Sequence, residues 1–204
     1  MPDEFVYLHD IAPEIITDIR YATKNNFTGK VVLGYEKEVC IITKIAAIIL
    51  KRINGELNAG GYNLKVFDAY RPKRASKSFV DWAISDKDDD PDIKQIYYPR
   101  IARKKILGSY IADGLSAHAR GSTVDLTIIE KSNGNELDMG VIFDFFDETS
   151  HTENANISPQ AKQNRALLKG IMEKHGFKNL WTEWWHYTLI DEPYKDQHFD
   201  FIIR

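Results

Sequence analysis

His118-Ala119-Arg120-Gly121-Ser122-Thr123-Val124-Asp125-Leu126-Thr127-Ile128-Ile129 reads as a bend followed by a strand. From Thr123 to Ile129, apolar and β-branched residues fill one alternation and Asp125 and Thr127 stand on the other, the pattern of an inner strand with a polar face. A carboxylate at such a position costs several kcal/mol by burial alone unless something compensates it. Asp125 therefore needs a partner: a metal ion, or an arginine in a buried salt bridge. Gly121 supplies a bend that lets a loop residue, His118, and a strand residue, Asp125, point at one centre.

Further along, Trp181-Thr182-Glu183-Trp184-Trp185-His186 adds a second imidazole and a second carboxylate. His118, Asp125 and His186 make up the His/His/carboxylate donor set of catalytic zinc, in which three protein ligands leave a position open for water. Iron, cobalt and nickel take similar donors. The reading is a mononuclear zinc hydrolase. A spacing of three puts Glu183 and His186 on one face of a helix but on opposite faces of a regular strand. The tryptophans and Thr182 argue against a helix, so a bulge or turn is predicted between them. His186 then binds the metal, and Glu183 stays outside the ligand set as base for the attacking water. The competing assignment, Glu183 as a fourth ligand, would close the site. Arg71, held by Pro72 at a strand end, either stabilises an oxyanion or forms a salt bridge, with Asp68 as a candidate partner.

Around these motifs, apolar residues at helical spacing from Glu36 to Ile53 predict one long core helix stopped by Asn54-Gly55. Leu64 to Tyr70 alternates as a strand and ends at Arg71-Pro72, before a helical stretch through Ala75, Phe79 and Trp82. Asp86 to Pro91 is predicted as a solvated loop. Ser158-Pro159 opens a helix with a Leu167, Leu168, Ile171 and Met172 stripe, closed by His175-Gly176. Trp185 to Ile190 is the last strand. Strands followed by loops too short for a βαβ series predict an α+β fold, a mainly antiparallel central sheet flanked by helices.

The 204 residues, 43% hydrophobic, suffice for a single domain, 1–204, with one core. A net charge of -3 with scattered Lys and Arg leaves no electrostatic footprint for nucleic acid or an acidic membrane. The only cysteine, Cys40, lies in an apolar segment and is read as core packing. No apolar run approaches the roughly 18 residues of a membrane span. The N-terminus lacks the basic and apolar regions of a secretory signal, so a cytoplasmic location is expected; a periplasmic one would follow if a leader had been removed.

At these motifs the chain resembles the VanX-type D-alanyl-D-alanine dipeptidases, of the zinc metallopeptidase group that shares its fold with the hedgehog signalling domain. The likeness extends to Tyr21-Ala22-Thr23-Lys24-Asn25-Asn26-Phe27-Thr28-Gly29, Asp68-Ala69-Tyr70-Arg71-Pro72-Lys73-Arg74-Ala75, Met139-Gly140-Val141-Ile142-Phe143-Asp144-Phe145-Phe146-Asp147-Glu148 and Asp191-Glu192-Pro193-Tyr194, in the same order. It implies one Zn2+ held by His118, Asp125 and His186, Glu183 as catalytic base, and Arg71 polarising the scissile carbonyl. It further implies that Asp144, Ser116 and Tyr21 hold the ammonium end of a small-molecule substrate, free D-Ala-D-Ala. A carboxylate such as Asp144 would pair with a free amino group and close the space a longer peptide needs. Ala117 and Thr123 depart from the family pattern beside the ligands, which bears on substrate preference rather than on metal binding. The competing readings are a carboxypeptidase or endopeptidase acting on peptidoglycan stem peptides, and a binding module that keeps its metal without turnover.

Overall fold

The apolar strand that follows Gly121 becomes the middle of the main sheet. The structure, a computed structural model, describes residues 1–112 and 115–204. Numbered in chain order, the strands are β1 (Phe5–Tyr7), β2 (Ile16–Thr17), β3 (Ile41–Thr43), β4 (Tyr62–Asp68), β5 (Thr123–Glu130), β6 (Phe177–Asn179) and β7 (His186–Leu189). The helices are α1 (Leu8–Ile11), α2 (Lys44–Ala59), α3 (Lys73–Ile84), α4 (Pro91–Tyr97), α5 (Arg103–Ile106) and α6 (Pro159–Lys174). None of the described helices is long and apolar enough to cross a membrane.

The fold is α+β. Its five-stranded sheet has the order β2-β4-β5-β7-β6, and β1 and β3 form a separate antiparallel pair. The sheet is mixed rather than uniformly antiparallel, because β2 joins β4 in parallel while the remaining neighbours run antiparallel. A parallel neighbour needs a long crossover. The chain between β2 and β4 contains α2, which packs against β4.

The long helix starts later and ends later than the periodicity predicts. Residues Ile41–Thr43 pair with Phe5–Tyr7 as a strand, so the helix begins only at Lys44. It continues through Asn54-Gly55 because the buried Asn54 side chain accepts a hydrogen bond from the Leu64 N–H at 2.8 Å, tying the helix to β4. The buried face is Ala46, Ala47, Leu50, Ile53 and Leu57, and Ile45, expected inside, is exposed. In α6, capped by the Ser158 hydroxyl, Leu168 and Met172 are buried while Leu167 is exposed.

β5 is buried along nearly its whole length. Val124, Leu126 and Ile128 fill one face, and Thr123, Asp125 and Thr127 are buried on the other. The register places Asp125 opposite His186 on β7 and opposite Asp68 on β4. A β-bulge between Val66 and Asp68 makes the second pairing possible, since an extra residue re-aims the side chain that follows it. The free thiol of Cys40 is buried, as packing requires.

Candidate active site

Three elements deliver the candidate metal ligands. A 3-10 turn, Ala117–Arg120, presents His118; the Ser116 hydroxyl opens it by accepting the His118 N–H, and Gly121 closes it at φ 85. That left-handed conformation is accessible to glycine at no steric cost. A Cβ on Gly121 would stand 2.1 Å from Cε1 of Phe5, so the aromatic ring occupies the space a side chain would need. Asp125 comes from β5 and His186 from the first position of β7.

The donor atoms of His118, Asp125 and His186 lie within 4.8 Å of one another. His118 Nε2 is 3.3 Å from His186 Nδ1 and 3.3 Å from Asp125 Oδ2, and His186 Nδ1 is 3.1 Å from Asp125 Oδ1. Bonds of about 2.0–2.1 Å to a tetrahedral cation give ligand separations of about 3.3 Å. The triad therefore fits a small divalent ion. The tautomer agrees: His118 Nδ1 donates to the Ala69 carbonyl at 2.7 Å, leaving the Nε2 lone pair aimed at the centre. Burial and the nearby Arg71 charge lower the His118 pKa. Among the described residues, Asp125 Oδ1 is buried without a hydrogen bond of acceptable geometry. Such an orphaned carboxylate oxygen is costly unless a cation takes it.

Burial works to raise the Asp125 pKa, but His118 and His186 outweigh it and hold the carboxylate ionised. Burial likewise works to lower the His186 pKa, and the Asp125 carboxylate reverses it. Glu183 sits between two turns, with its carbonyl accepting the His186 N–H at 3.2 Å. This is the turn predicted from the Glu183-to-His186 spacing. Glu183 Oε2 stands 3.5 Å from His186 Nδ1, and burial pushes its pKa up to about 7 against the pull of His186. A carboxylate tuned near neutrality is suited to accept and return a proton.

Arg71 forms the salt bridge to Asp68 that is one of its two sequence readings, and it also faces the cavity. Its Nε donates to Asp68 Oδ2 at 2.8 Å, its guanidinium reaches Asp125 Oδ2 at 3.3 Å, and it lines the cavity. On another wall, Asp144 is buried, with φ 62. The Tyr21 hydroxyl donates to Asp144 Oδ2 at 2.9 Å. Burial, then the charge of Asp125, pushes the Asp144 carboxyl well above the usual range. Tyr21, Arg71, Ser116, Asp144, Glu183 and the triad border one cavity of about 350 Å3, near the lower end of the roughly 300–1,000 Å3 of small-molecule sites.

A family model described as D-ala-D-ala dipeptidase matches residues 1–204. The chain belongs to the D-Ala-D-Ala dipeptidase family of M15 peptidases. Proteins named D-alanyl-D-alanine dipeptidase are similar to it throughout. One from Enterococcus faecalis is 41% identical over 203 residues, 100% of both chains. One from Enterococcus faecium is 40% identical over 200 residues, 98% of each. One from Streptomyces coelicolor is 36% identical over 203 residues, 100% of both.

In this member of the family, the structure brings together every site residue named from the sequence. It adds two that were passed over. Asp68, considered only as a partner for Arg71, also lies 3.6 Å from His118 Nδ1 and accepts the Tyr35 hydroxyl at 2.7 Å. The signal for Asp68 was present: it is a carboxylate in an apolar strand, the same anomaly that singles out Asp125. Nothing local marks Tyr35.

Proposed function

We propose that this chain is a zinc-dependent dipeptidase that hydrolyses free D-Ala-D-Ala to two molecules of D-alanine, working as a single domain over residues 1–204. One observation carries the reading. The triad with Glu183, and a buried carboxylate whose described hydrogen-bond donor is Tyr21, share a cavity sized for a small molecule. His118, Asp125 and His186 would hold the zinc, which supplies Lewis acidity and activates water.

The chain's own groups account for the remaining steps. Asp144, with Tyr21 and Ser116 beside it, receives the substrate ammonium; a cation there restores the charge that burial disfavours. Glu183 takes a proton from water as its oxygen attacks the peptide carbonyl carbon. Arg71, held by Asp68, donates to the oxyanion as the carbonyl double bond opens. When the C–N bond breaks, the proton on Glu183 passes to the leaving nitrogen and the new carboxyl group gives up the remaining water proton to the amine, so that the products are a carboxylate and an ammonium and the base is returned. Asp144, buried in the cavity lining, would be left without a charged partner by a substrate acylated at its amino end, which favours a dipeptidase over a stem-peptide carboxypeptidase. A cytoplasmic site of action belongs to the same proposal, and cell fractionation tests it.

The test compares D-Ala-D-Ala with acetyl-D-Ala-D-Ala, using zinc-loaded and chelated protein. Fast, chelator-sensitive turnover of the free dipeptide alone is expected. Comparable rates on the two substrates would overturn the dipeptidase reading in favour of a carboxypeptidase.

A further inference from the structure

Arg165 on α6 is 1% exposed, and among the described residues it forms no salt bridge within 4.0 Å. Burying an uncompensated guanidinium is costly, and an apolar side chain of similar volume would fill the space more favourably. Burial lowers its pKa only to about 10, so it is charged at neutral pH. Among the described residues, its side-chain hydrogen bonds go to backbone carbonyls of one segment: Nε to Met139 at 2.7 Å, one terminal nitrogen to His151 at 2.7 Å, the other to Thr149 at 2.9 Å. The preceding residue, Asn164, donates to the Asp138 carbonyl at 2.8 Å.

These bonds clip together the two ends of a loop whose middle is Asp144. The left-handed backbone of Asp144, at φ 62, is disfavoured for a residue with a side chain and persists only where its surroundings fix it. The flanking Phe143 and Phe146 anchor the middle by packing on Phe67 and Phe27. On the opposite side, the Trp184 N–H donates to the Ser150 carbonyl, joining the loop to the turn that carries Glu183. Arg165 itself does not border the active-site cavity.

We propose that Arg165 is a positioning residue for substrate selection: its planar fork holds the loop so that Asp144 meets the substrate ammonium. This rests on the reading of Asp144 given above. The experiment compares wild type, Arg165→Met and Arg165→Lys for kcat and KM on D-Ala-D-Ala, for rate on acetyl-D-Ala-D-Ala, for zinc content, and for amide hydrogen exchange across residues 139–151. Misplacing a binding group should raise KM about ten- to a hundredfold in Arg165→Met with little change in kcat. The gap to the acetylated substrate should narrow, zinc should stay bound, and the 139–151 amides should exchange faster. Arg165→Lys, with charge but no fork, should fall between. Unchanged KM in a folded variant, or a fall in kcat with loss of zinc and no KM change, overturns the proposal. Should both Arg165 variants fail to fold, Asn164→Ala decides in the same way, a normal KM counting against it. The wild-type arm alone tests the dipeptidase reading, so failure of either idea is seen separately.

Discussion

Gly121→Ala puts the link between fold and site under direct strain. Its φ of 85 is left-handed, and the added methyl would lie 2.1 Å from Cε1 and 2.4 Å from Cζ of Phe5. Phe5 cannot swing away, because its ring is wedged among Tyr70, Phe199 and Phe201 at centroid distances of 5.4, 5.0 and 5.1 Å. The left-handed conformation costs a residue with a Cβ about 1–2 kcal/mol, and an extra methyl in a filled core about 1–3 kcal/mol. The sum is about 2–5 kcal/mol. For a chain of this length that corresponds to a fall in Tm on the order of 10 °C. Gly55→Ala makes the same chemical change in the exposed interior of α2, where nothing lies within 4 Å of the new Cβ. It should stabilise by about 0.5–1 kcal/mol through helix propensity. Thermal unfolding of both variants, with Phe5→Leu added to Gly121→Ala as a partial rescue, reads the difference in sign. A Tm for Gly121→Ala equal to wild type would refute the claim that the glycine makes room for Phe5.

Other outcomes follow from the site. His118→Ala and His186→Ala should each lose the metal, whereas Glu183→Gln should keep it and lose orders of magnitude in kcat; metal analysis beside steady-state kinetics separates ligand from base. Arg71→Ala should lower kcat about a hundred- to a thousandfold with a smaller effect on KM, and Arg71→Lys should recover only part, as rates across a substrate series will show. Asp147, whose pKa is lowered to about 2 first by its hydrogen bond to Arg100, contributes stability that is present above the unfolded carboxyl value and lost as pH falls through the folded one. Arg100→Gln should therefore flatten the acid limb of a stability-versus-pH curve. Solvent screening at the exposed Arg100 holds the effect below about 1 kcal/mol.

The metal-capable triad could be read without coordinates because Asp125 and His186 stand in stretches that disturb the local pattern, and Gly121 lets nearby His118 point at the same centre as Asp125. Asp125 interrupts an apolar strand, and Glu183 and His186 sit in a tryptophan-rich stretch whose composition argues against a helix. The turn joining Glu183 to His186 follows from the same composition. What escaped the sequence depends on contacts between distant segments. Ile41–Thr43 looks like the start of a helix until Phe5–Tyr7 pairs with it. Asn54-Gly55 looks like a stop until the Asn54 side chain accepts from Leu64. The two-residue strand Ile16–Thr17 is too short to carry a period, so the parallel edge of the sheet had no signature. Asp144 looks like a helix cap or an ion-pair member by itself; its left-handed backbone and its loop clipped by Arg165 exist only in three dimensions.

The pairing of Asp68 with Asp125 and of Asp125 with His186 makes the centre a property of strand closure. No contiguous fragment owns it, because its members are drawn from remote stretches of chain and meet only when β4, β5 and β7 are in register. A one-residue slip of β7 would turn His186 to the other side of the sheet and abolish the cluster. Pairing of strands so far apart along the chain is a slow event in folding. Metal binding at the proposed zinc site should therefore mark the final stage of refolding: a stopped-flow chelator competition is expected to register it only after most helical signal has returned.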